Sequence, residues 1–170
     1  MLAAQWEETR VANRNNYLIS TMNNKALLNY LGNNQWKEAD QATDHLMRQS
    51  STDLLILDEL WTRFSDGRFG FSVQSRIWQE VGCLIATPPD YNYGLGWESG
   101  DSDVELEKVH RFAQRVGWMH DRGEWVGYES LAFSLDAPYG HLPLGDGRGV
   151  GSLVRRFSRI ITAKNSSCYP

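Results

Sequence analysis

Residues 66–78 read DGRFGFSVQSRIW, and two periodicities collide on them. Phe69, Phe71 and Val73 alternate with small or polar residues, as in a half-buried strand. Val73, Ile77 and Val81 recur every fourth residue, as in a helix. The alternation spans three positions only, whereas Val73, Ile77, Trp78 and Val81 keep helical spacing for two turns, with Ser72 placed to cap them. The stretch therefore predicts a turn at Asp66 and Gly67, a short extended piece presenting Phe69 and Phe71, and a helix from about Ser72.

Helical patterns extend to either side. Upstream, Leu27, Leu28, Tyr30 and Leu31 form a short apolar face stopped by Gly32-Asn33-Asn34, with Asn34 available as the next cap. Trp36, Ala39, Thr43, Leu46 and Met47 continue at helical spacing. Ser51 or Thr52 can then cap a helix over 53–64, with Asp53 in its first turn and Leu54, Leu57, Trp61 and Phe64 on one face. Downstream, residues 83–102 hold two prolines and a run of glycines and acids, and read as a surface insertion. Val104, Val109, Phe112 and Val116 restore the helical period after Asp103. Residues 119–149 are irregular, with Pro138 and Pro143 opposing a helix and the alternation of Leu131, Phe133 and Leu135 allowing a short strand. A last amphipathic helix carries Leu153, Phe157, Ile160 and Ile161 opposite its arginines. The expected fold is mainly α: one compact domain over 22–163, a long apolar loop before the C-terminal helix, a linker over 1–21 and a tail over 164–170.

The 170-residue chain is 41% hydrophobic and 22% charged, ordinary for a globular protein and enough for one core. A net charge of −4 argues against a dedicated nucleic-acid binder. Residues 147–170 contain four arginines, one lysine and no acid. Subtracting this +5 from −4 leaves −9 for residues 1–146, so a basic end meets an acidic body. Cys83 and Cys168 match no metal or redox spacing and read as unbridged thiols in a reducing compartment. The first ten residues have neither the apolar core of a secretory signal nor the character of a transit peptide.

Catalytic constellations are scarce. Asp40, Asp44 and His45 lie within about one helical turn but lack further ligands, and read as a solvated face rather than a metal site. His141 and Ser152 belong to no nucleophile elbow. The glycines of residues 145–151 open a basic helix but lack the Gly-Lys-Ser/Thr ending of a phosphate loop. What remains is a non-covalent pocket. Its apolar walls would be Phe69, Phe71 and Val73 with Leu131, Phe133 and Leu135, and its anion contacts Arg148 and Arg155. The same apolar residues would also serve as core.

Four stretches carry a resemblance: WKEADQAT (36–43), DLLILDELW (53–61), SDGRFGFSVQSRIW (65–78) and APYGHLP (137–143). Together they resemble the genomes-uncoupled-four domain, in the same order, over about Leu27 to Ile161. The resemblance implies an all-helical domain shaped like a cupped hand, whose palm binds protoporphyrin IX or magnesium protoporphyrin IX, or in some members a bilin. It implies a non-catalytic regulator of magnesium chelatase in chlorophyll biosynthesis, working with the large porphyrin-binding subunit of that enzyme. It places such a protein in the cytoplasm of a cyanobacterium or in the plastid stroma, with peripheral attachment to thylakoid membranes allowed and a monomer expected. Carried over by position, the palm residues are Phe69, Phe71, Val73, Leu131 and Phe133. Arg148 matches the first arginine after the HLPL run. A second basic position falls on Gly151, and Arg155 would replace it from the next turn. The insertion at 83–102 is longer than the family's connection. The alternatives are a bilin-binding protein or a ligand-independent interaction module on the same fold.

Overall fold

The computed structural model describes residues 24–49, 53–83, 102–145 and 150–166. The linker over 1–21, the interior of the insertion, the cap candidates Ser51 and Thr52, Arg148 and Cys168 lie outside the described residues. Among the described residues six helices follow in order: α1 (Lys25–Gly32), α2 (Trp36–Met47), α3 (Leu54–Phe64), α4 (Phe71–Glu80), α5 (Ser102–Arg115) and α6 (Val150–Ser166). A single 3-10 turn, Tyr128–Ser130, interrupts the long connection before α6. The mainly α expectation holds, and α6 runs past the expected boundary at 163.

No strand occurs among the described residues, and the one β-bridge pairs Met119 with Trp125. The strand expected at Leu131–Leu135 is absent for a physical reason. The Leu131 amide closes the 3-10 turn on Tyr128 O, and the Ala132 amide donates to the His141 ring. Leu131 points inward, Phe133 is half-buried and Leu135 faces solvent.

Two hydrophobic clusters divide the interior. α1 packs on α2 and α3, and their residues build one cluster around Leu27, Leu57, Trp61 and Phe69. Trp36, Trp61 and Phe69 meet there edge to face or tilted, with centroids 5.5–6.3 Å apart, the geometry aromatic quadrupoles favour. α5 packs on α4, and the second cluster centres on Trp78, Phe112, Trp118 and Phe157. α6 lies against both α3 and α4. It gives Leu153, Val154 and Phe157 to the second cluster and Ile160 to the first. α4 is shared in the same way, with Phe71 in the first cluster and Val73, Ile77 and Trp78 in the second.

The conflict of periods at 66–78 resolves into a built junction. Asp66 and Gly67 adopt left-handed backbone (φ 53° and 73°), which ends α3 in a turn. Ser65 ties the turn down: its hydroxyl donates to Trp61 O (2.7 Å) and accepts the Phe69 amide (2.8 Å). α4 starts one residue earlier than expected, at Phe71, and Ser72 is not its cap. The Ser72 amide instead donates to Oδ1 of the buried Asp58, at 2.7 Å, so the cap comes from α3. Two other caps differ from expectation. Asp53 caps α3 by accepting the Leu55 amide, and Gln35 rather than Asn34 precedes α2.

That close approach of α3 to the start of α4 demands glycine. Gly70 has φ 131°, and a Cβ there would meet Thr62 Cγ2 at 2.7 Å and Asp58 Oδ1 at 2.9 Å. Gly67 has φ 73° with nothing within 4 Å of a Cβ. Gly70→Ala should therefore lower unfolding free energy by about 3 kcal/mol, strain plus overlap. Gly67→Ala should cost about 1 kcal/mol, strain alone. Denaturant midpoints of the two variants check the order, and equal losses would refute the crowding at Gly70.

Candidate functional site

The loop over 137–145 turns inward after the exposed Pro138 and Tyr139, and residues 140–145 are all buried. A buried irregular segment must have its backbone polar groups satisfied, and here the partners are specific. Gly70 N donates to Leu142 O (3.0 Å), and Gly140 N donates to Arg68 O (2.9 Å), pairing the loop with the RFG segment. The Gln74 side chain, from α4, donates to Gly140 O (3.0 Å) and Pro143 O (2.7 Å). Trp118 Nε1 donates to His141 O (2.7 Å). Leu144 is gripped from two sides: its amide donates to Asp40 Oδ1 of α2, and its carbonyl accepts from Arg156 Nη1 of α6. The FGFSVQ and GHLP segments thus form one unit.

His141 is buried, with Nδ1 at 2.6 Å from Val116 O and Nε2 accepting the Ala132 amide at 3.1 Å. That pattern requires a neutral ring with the proton on Nδ1. Both nitrogens are committed, so His141 has no lone pair left to act as a base toward Ser152.

Asp40 does not lie on a solvated face as expected. It is 2% exposed, accepting the Leu144 amide at 2.6 Å and the Tyr128 hydroxyl at 3.0 Å. Burial pushes its carboxyl up to about 6, against which the bonds from Leu144 and Tyr128 act. Burial and the Asp40 charge raise the Tyr128 phenol, which stays protonated and donates. Asp44, one turn on, faces an open cavity of about 360 Å³ beside Tyr128 and Gly145 and pairs with Arg48 at 3.0 Å. No group of three or more His, Cys, Asp or Glu suited to a metal occurs among the described residues. The Asp40 arrangement sets a pH dependence. The folded carboxyl binds its proton more tightly than the unfolded one (about 6 against 3.8), so this contribution to stability is full below pH 4 and lost as pH rises to 6. The change is on the order of 3 kcal/mol. Comparison of Tm against pH for the parent and Asp40→Asn should show this fall in the parent only. Parallel curves would refute it.

The positions predicted to line a pocket do not gather round one opening. Phe69 is wholly buried against Trp36 and Trp61. Phe71 is wholly buried, with the Arg156 guanidinium 5.3 Å from its ring centroid. Leu131 sits in the second cluster. Phe133 bridges the two clusters, edge-on to Tyr128 at 5.4 Å and with Lys37 Nζ 5.7 Å from its centroid. Arg155 is exposed on α6, and Arg148 lies outside the described residues. Val73 alone of the set lines an open groove, about 540 Å³ in volume, between α4 and α6. Val73, Ile160 and Ile161 supply its apolar wall. Ser72, Ser75, Arg76 and Gln79 supply a polar one. These four follow i, i+3, i+4, i+7 spacing on α4, a polar stripe present in the sequence beside the apolar one.

A family model described as GUN4-like matches residues 46–158. The chain is 36% identical over 147 residues to the Tetrapyrrole-binding protein, chloroplastic, of Arabidopsis thaliana, covering 69% of this chain and 46% of that protein. It is 32% identical over 107 residues to the uncharacterized protein ycf53 of Pyropia yezoensis, covering 62% of this chain and 35% of that one. The chain thus spans less than half the length of the curated relatives it matches. In fold it is similar to the ligand-free structure of Arabidopsis thaliana GUN4, with TM-score 0.52, 24% identity and coverage of 79% of this chain and 93% of that one. GUN4 from Chlamydomonas reinhardtii gives TM-score 0.52 at 20% identity, covering 79% and 86%. With the two clamped motifs inside the matched range, the chain belongs to the GUN4-like family.

Proposed function

We propose that this chain is a non-catalytic tetrapyrrole-binding protein, and that its ligand seats in the groove between α4 and α6. The observation that carries this is the groove itself: about 540 Å³, open to solvent, with the polar row of α4 on one side and Ile160 and Ile161 of α6 on the other. Its size falls in the range of small-molecule sites. A porphyrin has two broad apolar faces and carboxylates at one edge, so one apolar wall and one polar wall suit it. Burying a face gives roughly 25 cal/mol per Å² before the costs of binding. The family and the printed name of the Arabidopsis relative support tetrapyrroles as the ligand class.

Among the expected palm residues, Val73 lines this groove, while Phe69, Phe71 and Leu131 are core residues and Phe133 packs against both clusters. Arg155 does not line this groove and Arg148 lies outside the described residues, so their expected role toward the ligand's carboxylates rests on the resemblance alone. The larger role follows the resemblance: protoporphyrin IX or magnesium protoporphyrin IX as ligand, and the large subunit of magnesium chelatase as partner, in a plastid or a cyanobacterium. No helix among the described residues is long and apolar enough to cross a membrane.

Titration with protoporphyrin IX, magnesium protoporphyrin IX and a bilin should give a saturable shift in the ligand's visible absorption with quenching of tryptophan fluorescence for at least one of them. Ile161→Glu, which puts a charge on the half-buried groove wall, should weaken that binding at least tenfold while leaving Tm nearly unchanged. Phe71→Ala should instead unfold the protein, at about 3–5 kcal/mol. Absence of saturation with all three ligands would refute the proposal. Binding untouched by Ile161→Glu would move the site.

A further inference from the structure

We infer that Arg76 is the residue that selects a carboxylate-bearing ligand in the α4/α6 groove. This rests on the tetrapyrrole reading above and names the residue that sets ligand orientation and choice. Arg76 lines the groove on the polar wall, and its side chain is 64% exposed. An arginine here has an obvious internal rival in Glu80, four residues on. That pair is stretched: Arg76 Nε stands 3.9 Å from Glu80 Oε1, beyond hydrogen-bond reach. Glu80 is engaged by a different partner, since its Oε2 lies 2.5 Å from Arg115 Nη2 of α5. Arg115 thereby holds Glu80 toward the α5 side and leaves the fork of Arg76 with donors for a ligand.

The surroundings fit a carboxylate edge. Ser72 lies one turn before Arg76 and Gln79 three residues after it, and both line the groove. A hydroxyl and an amide on either side of a guanidinium give donors in a row along α4. Half-buried Ile161 faces that row from α6, with Ile160 packed into the core beneath it. A flat ligand with its ring against Ile161 and its acid edge along α4 satisfies both sides of the groove, and the opposite orientation satisfies neither. Guanidinium grips carboxylate by two parallel N–H bonds, which an ammonium cannot reproduce.

The test uses the full 170-residue chain and two probes that differ only at the acid edge, deuteroporphyrin IX and its dimethyl ester. The parent should prefer the free diacid by about tenfold, the effect of one charge-assisted contact in a partly exposed site. Arg76→Ala should weaken the diacid by about tenfold and leave the ester within about twofold, so that the preference disappears. Arg76→Lys should restore only part of it. Arg63→Ala, an equal charge change on the exposed side of α3, should alter neither probe. Glu80→Gln, which removes the rival acid, should leave the preference intact or raise it. If both probes bind but Arg76→Ala retains the parent's preference, Arg76 is not the selector and only this inference fails. If neither probe binds the parent, the tetrapyrrole reading fails and takes this one with it.

Discussion

The amide of Gln74 holds two carbonyls, of Gly140 and Pro143, and most of the structure depends on that clamp. The constraint behind it is general. An irregular segment cannot be buried unless its N–H and C=O groups find partners, because each orphan costs about as much as several good contacts return. Residues 140–145 are buried with no helix or sheet to satisfy them. Their partners come one by one from α2, α4, α6, the turn before α4 and Trp118 just past α5, so the loop ties these elements together. The two aromatic clusters would tolerate some sliding, since apolar packing is not directional. The hydrogen bonds to this loop remove that freedom.

Much of the helical layout was legible in the sequence. The apolar spacing of Leu54, Leu57 and Trp61, and of Leu153, Phe157 and Ile160, places α3 and α6 correctly, because each stripe is long enough to outweigh local ambiguity. Less legible was what lay inside the stripes. Asp40 follows Trp36 by four residues, Asp58 follows Leu54 by four, Gln74 follows Phe71 by three, and Arg156 follows Leu153 by three. All four are polar residues on buried faces, and all four bond backbone of another element: Leu144, Ser72, Gly140 with Pro143, and Leu144 again. Periodicity marks such positions as exceptions but cannot name their partners, which are distant in sequence. Reading Asp40 as solvated and Ser72 as a cap were two results of that gap.

The groove was harder to read for a related reason. Apolar residues near a turn serve equally as core or as pocket wall, and Phe69 and Phe71 are core. The open groove lies on the neighbouring stripe of α4, one residue round from the buried one. Ser72, Ser75, Arg76 and Gln79 look like an ordinary solvent face until α6 is laid beside them. Only packing shows that this polar face has an apolar opposite.

The sharing of α6 between the two clusters has a thermodynamic consequence. Ile160 belongs to the first cluster, lines the groove and lies one turn beyond Arg156, which holds the buried loop. Any molecule that requires α4 and α6 side by side therefore binds only the folded chain, and raises its stability by RT ln(1 + [L]/Kd). At a hundredfold excess over Kd that is about 2.7 kcal/mol, enough to change the fraction of molecules exposed to proteolysis about a hundredfold. A ligand seated between α4 and α6 would couple its own supply to the lifetime of the protein through one helix.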